Sequence, residues 1–286
     1  MKLPYKVSFP ICISALLLIS SCELYNPSEP VPAYIHIERF TLTTDEFTQG
    51  SNSHKITDAW VYVDDQPIGC FELPATFPVI SEGVHKVKVI PGIKVNGISA
   101  SRAQYPFYNR FEQDVDFKVG TTINLSPTTT YNASTDFAFI EEFEAGVTIS
   151  ASSNSDTNMY DISDANVFEG AKSGIGYIDN TRTFFECVTN SPYVLPHGSS
   201  PVFLEFNYKS NFQFTVSVIA IGSAGQAIYP VLHINPTTDW NKIYVHLTPV
   251  VSGTYTADNY KIVWGMVNNV GLDSAAVVLD NIKLIY

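Results

Sequence analysis

The stretch VYVDDQPIGCFELPATFPVISEGVHKVKVIPGI, residues 61–93, carries the clearest structural signal in the chain. Apolar and polar side chains alternate near both of its ends, and the turn-forming sequences DDQP and SEG lie between them. A period of two is the pattern of a β-strand with one buried face. No part of the chain shows a sustained apolar period of 3.6, so we predict an all-β fold.

The same alternation continues upstream of this stretch. Apolar residues occupy positions 35, 37 and 40, and each run is short and ends in turn residues. Short alternating strands separated by turns are typical of two packed antiparallel sheets. We therefore predict that residues 33–125 form a β-sandwich domain.

Residues 61–93 also contain a recognisable order of motifs. The dipeptide Leu73-Pro74 follows an Asp-rich hairpin, and EGVH at residues 82–85 precedes an alternating strand. This order resembles PEGA domains and other immunoglobulin-like modules of bacterial envelope proteins. The resemblance is confined to this stretch and implies a stalk or adhesive module rather than an enzyme.

A second unit begins after a polar stretch rich in Ser, Thr and Pro. We predict a linker at residues 126–134 and a second domain at residues 135–286. The second domain contains FIEEFEAG at residues 139–146, GAKSG at residues 170–174 and VVLDNI at residues 277–282. This order resembles the jelly-roll sandwiches of carbohydrate-binding modules and galactose-binding-like domains, and it implies the fold more strongly than the ligand.

The chain starts with the features of an export signal. Lys2 and Lys6 precede an uncharged apolar run, which ends in ISSC at residues 19–22. This tetrapeptide resembles the bacterial lipobox, in which the signal peptide is cut before a cysteine that becomes acylated. The resemblance implies a signal peptide at residues 1–21 and a lipid on Cys22. The alternative is an ordinary signal peptide with a chance cysteine.

Residues 22–32 contain three prolines among polar neighbours, and we predict that they form an extended tether. The whole arrangement resembles lipoproteins of the Bacteroidota outer membrane, which implies that Cys22 holds the protein to outer-membrane lipid. In that group, export to the cell surface is associated with several acidic residues after the cysteine. Here Glu23 alone follows closely, so the periplasmic face is favoured over the cell surface.

The charge and the cysteine content exclude several classes of protein. The net charge is −12, and removal of residues 1–21, with two lysines and no acidic residue, lowers it by two to −14. Nucleic acid is therefore a poor partner. Besides Cys22, Cys70 and Cys187 remain, too few for a disulfide framework. Two buried thiols are favoured over a Cys70–Cys187 bridge, because the two residues fall in different predicted domains.

Catalytic motifs are missing from the sequence. It contains no HExxH zinc motif, no GxSxG nucleophile motif and no CxxC pair. Glu141, Glu142 and Glu144 could supply the two carboxylates of a glycosidase, but a solvated strand face is the favoured interpretation. We predict that the protein is not an enzyme.

The acidic residues of the second domain are better suited to a metal. Many jelly rolls of the resembled kind carry one structural calcium ion, which takes six to eight oxygen ligands. By matching position, the resemblance implies Glu142, Glu144 and Asp280 as ligands, with carbonyl oxygens from residues 170–174. The alternative for Asp280 is that it caps a turn beside the last strand.

A glycan site would need exposed aromatic rings, because the apolar face of a sugar stacks on a flat ring. Trp240 and Trp264 lie in alternating strand patterns, and we predict that both are in the core. Tyr208, Tyr229 and Tyr255 lie nearer to turns and are the candidate ligand-binding residues, although packing is the favoured explanation for each.

Two functions remain. The favoured one is a non-catalytic, lipid-anchored envelope protein that acts as a binding or scaffolding module on an outer-membrane protein complex for secretion, surface attachment or uptake. The alternative is a glycan-binding lipoprotein whose jelly-roll domain holds a polysaccharide. The predicted burial of both tryptophans ranks the glycan function second.

Overall fold

The computed structural model describes residues 29–286, so the predicted signal peptide and Cys22 lie outside it. In residues 29–286, helical structure is limited to α1 (Glu46–Gln49), α2 (Thr248–Gly253) and a 3-10 turn (Val95–Gly97). Within these described residues, no helix has the length and apolar character of a membrane span. The remaining regular structure is β, as the alternating sequence predicts.

The strands of the first part of the chain are short. They are β1 (Ala33–Ile37), β2 (Thr41–Thr43), β3 (Asp58–Val63), β4 (Gln66–Glu72), β5 (Ala75–Val79), β6 (Gly83–Lys94), β7 (Arg102–Gln104), β8 (Phe111–Phe117), β9 (Thr122–Leu125) and β10 (Thr128–Thr130). One layer has the order β5-β1-β9, with the pair β2-β10 beside it, and the other has β4-β3-β6 with β7 and β8 both on β6.

These two layers form the predicted sandwich. Ile35 and Ile37 of β1 and Val87 and Val89 of β6 are buried between them. The dipeptide Leu73-Pro74 joins β4 to β5 through a cis peptide bond. The alternating residues identified in the sequence are therefore the core of the first domain.

The strands of the second part are longer. They are β11 (Phe137–Glu141), β12 (Ile149–Ala151), β13 (Tyr160–Ile162), β14 (Ser173–Asp179), β15 (Phe184–Thr189), β16 (Phe203–Ser210), β17 (Phe214–Gly222), β18 (Gly225–Ile234), β19 (Thr237–His246), β20 (Ala257–Val267) and β21 (Ser274–Ile285). One sheet has the order β13-β14-β21-β16-β19, with β11 also on β21, and the other has β12-β15-β20-β17-β18. We call them the β21 sheet and the β20 sheet.

The core of the second domain lies between these sheets and includes Phe206, Trp264 and Leu279. A β-bulge at Asn281, whose φ is +49°, changes which side chains of β21 face this core. Val277 and Leu279 point inward before the bulge, whereas Ile282 and Leu284 do so after it. Asp280 and Lys283 consequently lie on the outer face of the same sheet.

The first domain packs against that outer face. Phe203, Tyr244 and Ile285 of the β21 sheet belong to the apolar cluster of the first domain. Residues 126–134, the predicted linker, are part of this packing, because Thr128–Thr130 pairs with Thr41–Thr43 and Tyr131 is buried. The β-branched threonines that suggested a polar linker are also good strand formers. The boundary between the two sandwiches stays a prediction.

Candidate functional site

The outer face of the β21 sheet is divided in two by residues 163–172, which we call the crossing loop. The loop leaves β13 and returns to β14, yet the ring of Phe168 lies 5.1 Å from the ring of Trp240 on β19. The Glu169 N–H donates to Asp280 Oδ2 on the central strand at 3.4 Å. The loop therefore spans the sheet and separates a half covered by the first domain from an open half.

The covered half is sealed by backbone and side-chain groups of the first domain. Lys283 Nζ donates to the Ser51 carbonyl at 2.5 Å, and Ser53 Oγ donates to Asn207 Oδ1 at 2.9 Å. From the other side, the His246 N–H donates to Asn96 Oδ1 at 2.8 Å. These contacts fix the first domain across strands β21, β16 and β19.

A buried ionic cluster lies beneath this seal. Glu205 accepts from the Tyr105 hydroxyl at 2.7 Å and from the Tyr131 hydroxyl at 3.0 Å. Lys242 Nζ is 3.2 Å from Glu205 Oε2, although it makes no well-oriented hydrogen bond, so this contact is ionic. Burial, with Lys242 nearby, lowers the pKa of Lys283 to about 7. The cluster joins the two domains and has no access for a ligand.

The open half contains a groove of about 550 Å³. Its floor is formed by outward side chains of three adjacent strands, since Ile175 of β14 pairs with Val278 of β21 and Val278 pairs with Lys209 of β16. The lining residues are Asn166, Ile175, Lys209, Ser210, Asn211, Pro236, Thr237, Thr238, Ala276 and Val278. The groove therefore has an apolar floor and polar sides, as ligand sites commonly do.

Aromatic side chains stand at both edges of the sheet beside this groove. At the β13 edge, Tyr160 pairs in register with Ile175, and its ring lies 6.0 Å from that of Tyr177. The guanidinium of Arg182 lies 4.6 Å from the centre of the Tyr177 ring and holds it in place. At the β19 edge stands the Phe168–Trp240 pair. Five strands separate the edges by about 19 Å at ~4.8 Å between neighbours.

The polar groups of the groove include one free cation. Lys209 lies between apolar floor residues, and no salt bridge or side-chain hydrogen bond of Lys209 is present within residues 29–286. Asn166 and Asn211 contribute amide groups at the two sides. Asn211 Oδ1 accepts from the Ala276 N–H at 2.8 Å, which leaves the Asn211 Nδ2 group and the Lys209 ammonium to orient a polar ligand over the apolar floor.

The predicted calcium ligands also come together, in a different place. Glu142, Glu144 and Asp280 line one cavity of about 330 Å³ with Glu169. Glu144 Oε1 accepts from the Ala171 and Lys172 N–H groups at 2.8 and 3.0 Å. This cavity lies between the crossing loop and residues 51–52 of the first domain.

These acidic side chains are not arranged as a metal centre in the structure. Asp280 Oδ2 accepts from Ser173 Oγ at 2.6 Å, and burial raises the pKa of Asp280 to about 6. Glu142 Oε1 accepts from the Ser51 N–H at 2.8 Å. Across the described part of the chain, no three His, Cys, Asp or Glu side chains are arranged to hold a metal ion. Calcium binding therefore stays a prediction. It requires these carboxylates to give up the hydrogen bonds that they accept from protein groups and to coordinate the ion instead.

The three candidate tyrosines differ in their exposure to solvent. Tyr208 is only 6 % exposed and packs on Phe206 and Phe214, which agrees with the favoured packing explanation and excludes its candidate role as a ligand platform. It lies two residues before the end of β16, but its side chain points into the core between the two sheets. Tyr229 and Tyr255 are exposed, and Tyr229 lines a small cavity with the two neighbours of Tyr255. That cavity lies at the β18 edge of the β20 sheet. The groove lies on the outer face of the other sheet, the β21 sheet.

The structure also corrects the placement of one tryptophan. Trp264 is buried in the core, as predicted, but Trp240 is half-buried on the outer face beside Phe168. Ile243 and Val245 of β19 point inward, but the strand pairing is irregular between Asn241 and Thr237, and the contact with Phe168 of the crossing loop places the Trp240 ring on the outer face. Tyr160, Tyr177 and Lys209 were not identified from the sequence. Pairing of their strands, which the sequence does not show, brings them together.

Glu141 and the thiols of Cys70 and Cys187 line neither the groove nor the acidic cavity. Glu141 is buried and accepts from the Phe143 and Thr148 N–H groups, both at 2.7 Å, so it stabilises a turn. Cys70 and Cys187 are both free thiols, the first half-buried and the second buried. Burial raises the pKa of Cys187 to about 12, so this thiol is unreactive near neutral pH.

Comparison with known proteins gives likeness only among solved structures. No protein-family model matches the chain, and no curated protein matches it significantly. A structure of carbohydrate-binding modules of the β-sandwich superfamily is similar at 13 % identity and a TM-score of 0.39, over 79 % of this chain and 84 % of that one.

Two further structures are each similar to about half of the chain. The CBM22-2 xylan-binding domain of Paenibacillus barcinonensis Xyn10C is similar at 13 % identity and a TM-score of 0.39, over 51 % of this chain and 98 % of that one. TmCBM61, solved with β-1,4-galactotriose, is similar at 13 % identity and a TM-score of 0.33, over 50 % of this chain and 92 % of that one. At these values the likeness carries no argument about a ligand.

Proposed function

We propose that the protein is a lipid-anchored, non-catalytic glycan-binding protein that holds a polysaccharide in the groove of the open half. The observation that carries this proposal is an apolar sheet face with aromatic pairs at both of its edges. From the sequence alone, docking on a protein complex ranks first, because the anchor, the tether, the stalk-like first domain and the missing catalytic motifs favour it and both tryptophans are expected in the core.

The chemistry of the groove suits a sugar chain. Ile175 and Val278 offer an apolar floor, and the rings of Tyr160 and Trp240 offer surfaces on which the apolar faces of sugar rings can stack. Lys209 and Asn211 can donate hydrogen bonds to hydroxyl groups between the two ends.

The lining also supports binding rather than hydrolysis. Glycoside hydrolysis commonly uses two carboxyl groups about 5 to 9.5 Å apart. Among the described residues that line the groove, none is Asp or Glu. Glu142, Glu144, Glu169 and Asp280 lie instead in the cavity beyond the crossing loop, where Glu142 and Glu144 accept hydrogen bonds from backbone N–H groups.

Affinity electrophoresis of the soluble chain, residues 23–286, against neutral plant, algal and bacterial polysaccharides tests the proposal. We expect at least one polysaccharide to retard the protein, and Tyr160→Ala and Trp240→Ala each to weaken binding about tenfold, a loss of ~1.4 kcal/mol. Urea unfolding of the same variants shows whether they remain folded.

Tyr229→Ala and Tyr255→Ala are the matched controls, because both rings are exposed but lie outside the groove. Retention that is lost in these two variants and kept in the groove variants would move the site to the β20 sheet. No retention by any polysaccharide would overturn the proposed function.

A further inference from the structure

The first domain has two ends that differ in what they contact. Strand β6 runs from Gly83 to Lys94, and the 3-10 turn that follows it docks on β19 through Asn96 and His246. β1 and β9 likewise end near the segments that reach the second domain, whereas they start at the opposite end. We call this opposite end, where the described chain begins, the free end.

Large aliphatic side chains are exposed together at the free end. Val31, Ile80, Val84 and Val119 are 60, 70, 71 and 49 % exposed. Strand pairing places them side by side, since the Gly120 N–H donates to the Pro32 carbonyl at 3.0 Å and Ala33 pairs with Val79. Gly83, next to Val84, pairs with Phe117. Four neighbouring exposed aliphatic residues at one end form a surface that water solvates poorly.

The length of chain before this end limits what can cover it. Only nine residue steps separate Cys22 from Val31. At ~3.3 to 3.6 Å per step, a fully extended tether reaches at most about 32 Å. A lipid on Cys22 would therefore keep the free end close to a bilayer surface, whatever conformation the tether takes.

We propose that the free end rests on the lipid surface and inserts Val31, Ile80, Val84 and Val119 at the boundary of headgroups and acyl chains. This inference rests on the lipid anchor of the proposed function. Apolar side chains gain by burial in that boundary, and a lipid chain that already holds the protein there removes most of the cost of association. Lys118 and Asp116 beside the cluster lie 3.7 Å apart and offset each other's charge.

This contact would set the direction in which the groove faces. The twelve residues of β6 span about 36 Å at ~3.3 Å per residue, and the second domain is fixed to its far end. The first domain thus acts as a pedestal that holds the second domain away from the bilayer. Because the groove shares the face of the β21 sheet on which the first domain packs, it opens beside the pedestal, on the side of the second domain that faces the first domain.

Quenching by brominated lipid tests the contact in the acylated full-length protein. A polarity-sensitive fluorophore is attached to Ile80→Cys, Val119→Cys or Val194→Cys, each in a Cys70→Ser background, after reconstitution in phosphatidylethanolamine and phosphatidylcholine vesicles. Val194 is the matched control, because it is 70 % exposed on the second domain. We expect strong quenching at positions 80 and 119 and none at 194.

Two results would overturn the inference while leaving the anchor intact: vesicle-bound protein with no quenching at any position, or equal quenching at all three. The first would mean that the free end stays in water, and the second that the protein has no fixed orientation. Protein that does not float with vesicles although Cys22 is intact would overturn the anchor itself, and with it the inference. All four cluster positions are exposed, so the labelled variants keep the core unchanged.

Discussion

The covered half and the open half of the β21 sheet lie on one face of the same strands. In the covered half, outward residues include Glu205 and Lys283, both fully buried beneath the first domain. In the open half, the outward residues include Ile175 and Lys209, which stay partly exposed in the groove. The crossing loop stands between them and contacts both sides through Phe168 and Glu169.

The difference shows that the character of a sheet face is decided by what covers it. Charged residues that would be ordinary on a solvated face become a paired, hydrogen-bonded cluster once a second domain seals them. Apolar residues on the uncovered side become a ligand surface.

Removal of the buried negative charge should destabilise the protein most. In Glu205→Gln the side chain keeps its shape, but Lys242 loses its counter-charge in a site where its own side chain is 2 % exposed. Breaking one partner of a buried pair costs about 3 to 5 kcal/mol. Urea unfolding measured by circular dichroism should show this loss.

Lys209→Gln in the open half is the matched control, since it removes one charge from the same strand. It should change the free energy of unfolding by no more than about 0.5 kcal/mol. If both variants lost the same free energy, the ionic cluster would not be what distinguishes the covered half.

Calcium is expected to act at the border between the halves. An ion that binds Glu142, Glu144 and Asp280 in the folded chain alone would add about 2.7 kcal/mol at a free concentration of one hundred times its dissociation constant. Chelation should therefore lower the melting temperature of the whole chain, and Asp280→Asn should remove the difference.

The effect should also disappear below about pH 6, because the raised pKa of Asp280 leaves this ligand protonated there. Glu186→Gln, an acid on the opposite sheet, should keep the full response. Identical melting curves with and without chelator at pH 7.5 would show that these acids serve only to cap the crossing loop.

The smallest predicted effect is a dependence of stability on pH in the covered half. The pKa of Lys283 is about 7 in the folded protein and near its ordinary value of 10.5 when unfolded. Between these values the unfolded chain binds more protons, so stability should rise with pH, by about 1 kcal/mol from pH 7 to pH 8. Below pH 7 the folded lysine is charged and its burial cost is fully present.

Lys283→Met should lose this rise, measured as the difference between its urea-unfolding free energies at pH 7 and pH 8 and those of the parent chain. Lys261→Met, an exposed lysine of the β20 sheet, should keep it. An unchanged slope in Lys283→Met would mean that Lys283 stays charged in the folded state.

Much of the fold could be predicted because it depends on local pattern. The alternation of Val87 and Val89, and of residues in β14 to β21, specifies strands with one buried face. The convergence of Glu142, Glu144 and Asp280 on one cavity followed from resemblance to a family pattern. The site for a ligand could not be obtained this way, because Tyr160 and Trp240 lie eighty residues apart, and only the order of the strands places them at the two edges of one sheet.

The sequence by itself determined the all-β class, the two sandwiches, the unbridged cysteines and the burial of Trp264. These features follow from period, turn residues and composition, which are local. Only the tertiary structure decided that Tyr208 is core, that Trp240 is not, and which half of the β21 sheet is open. A strand's alternation fixes that its side chains have two faces, but which face meets a second sheet, a second domain or water depends on neighbours distant in sequence.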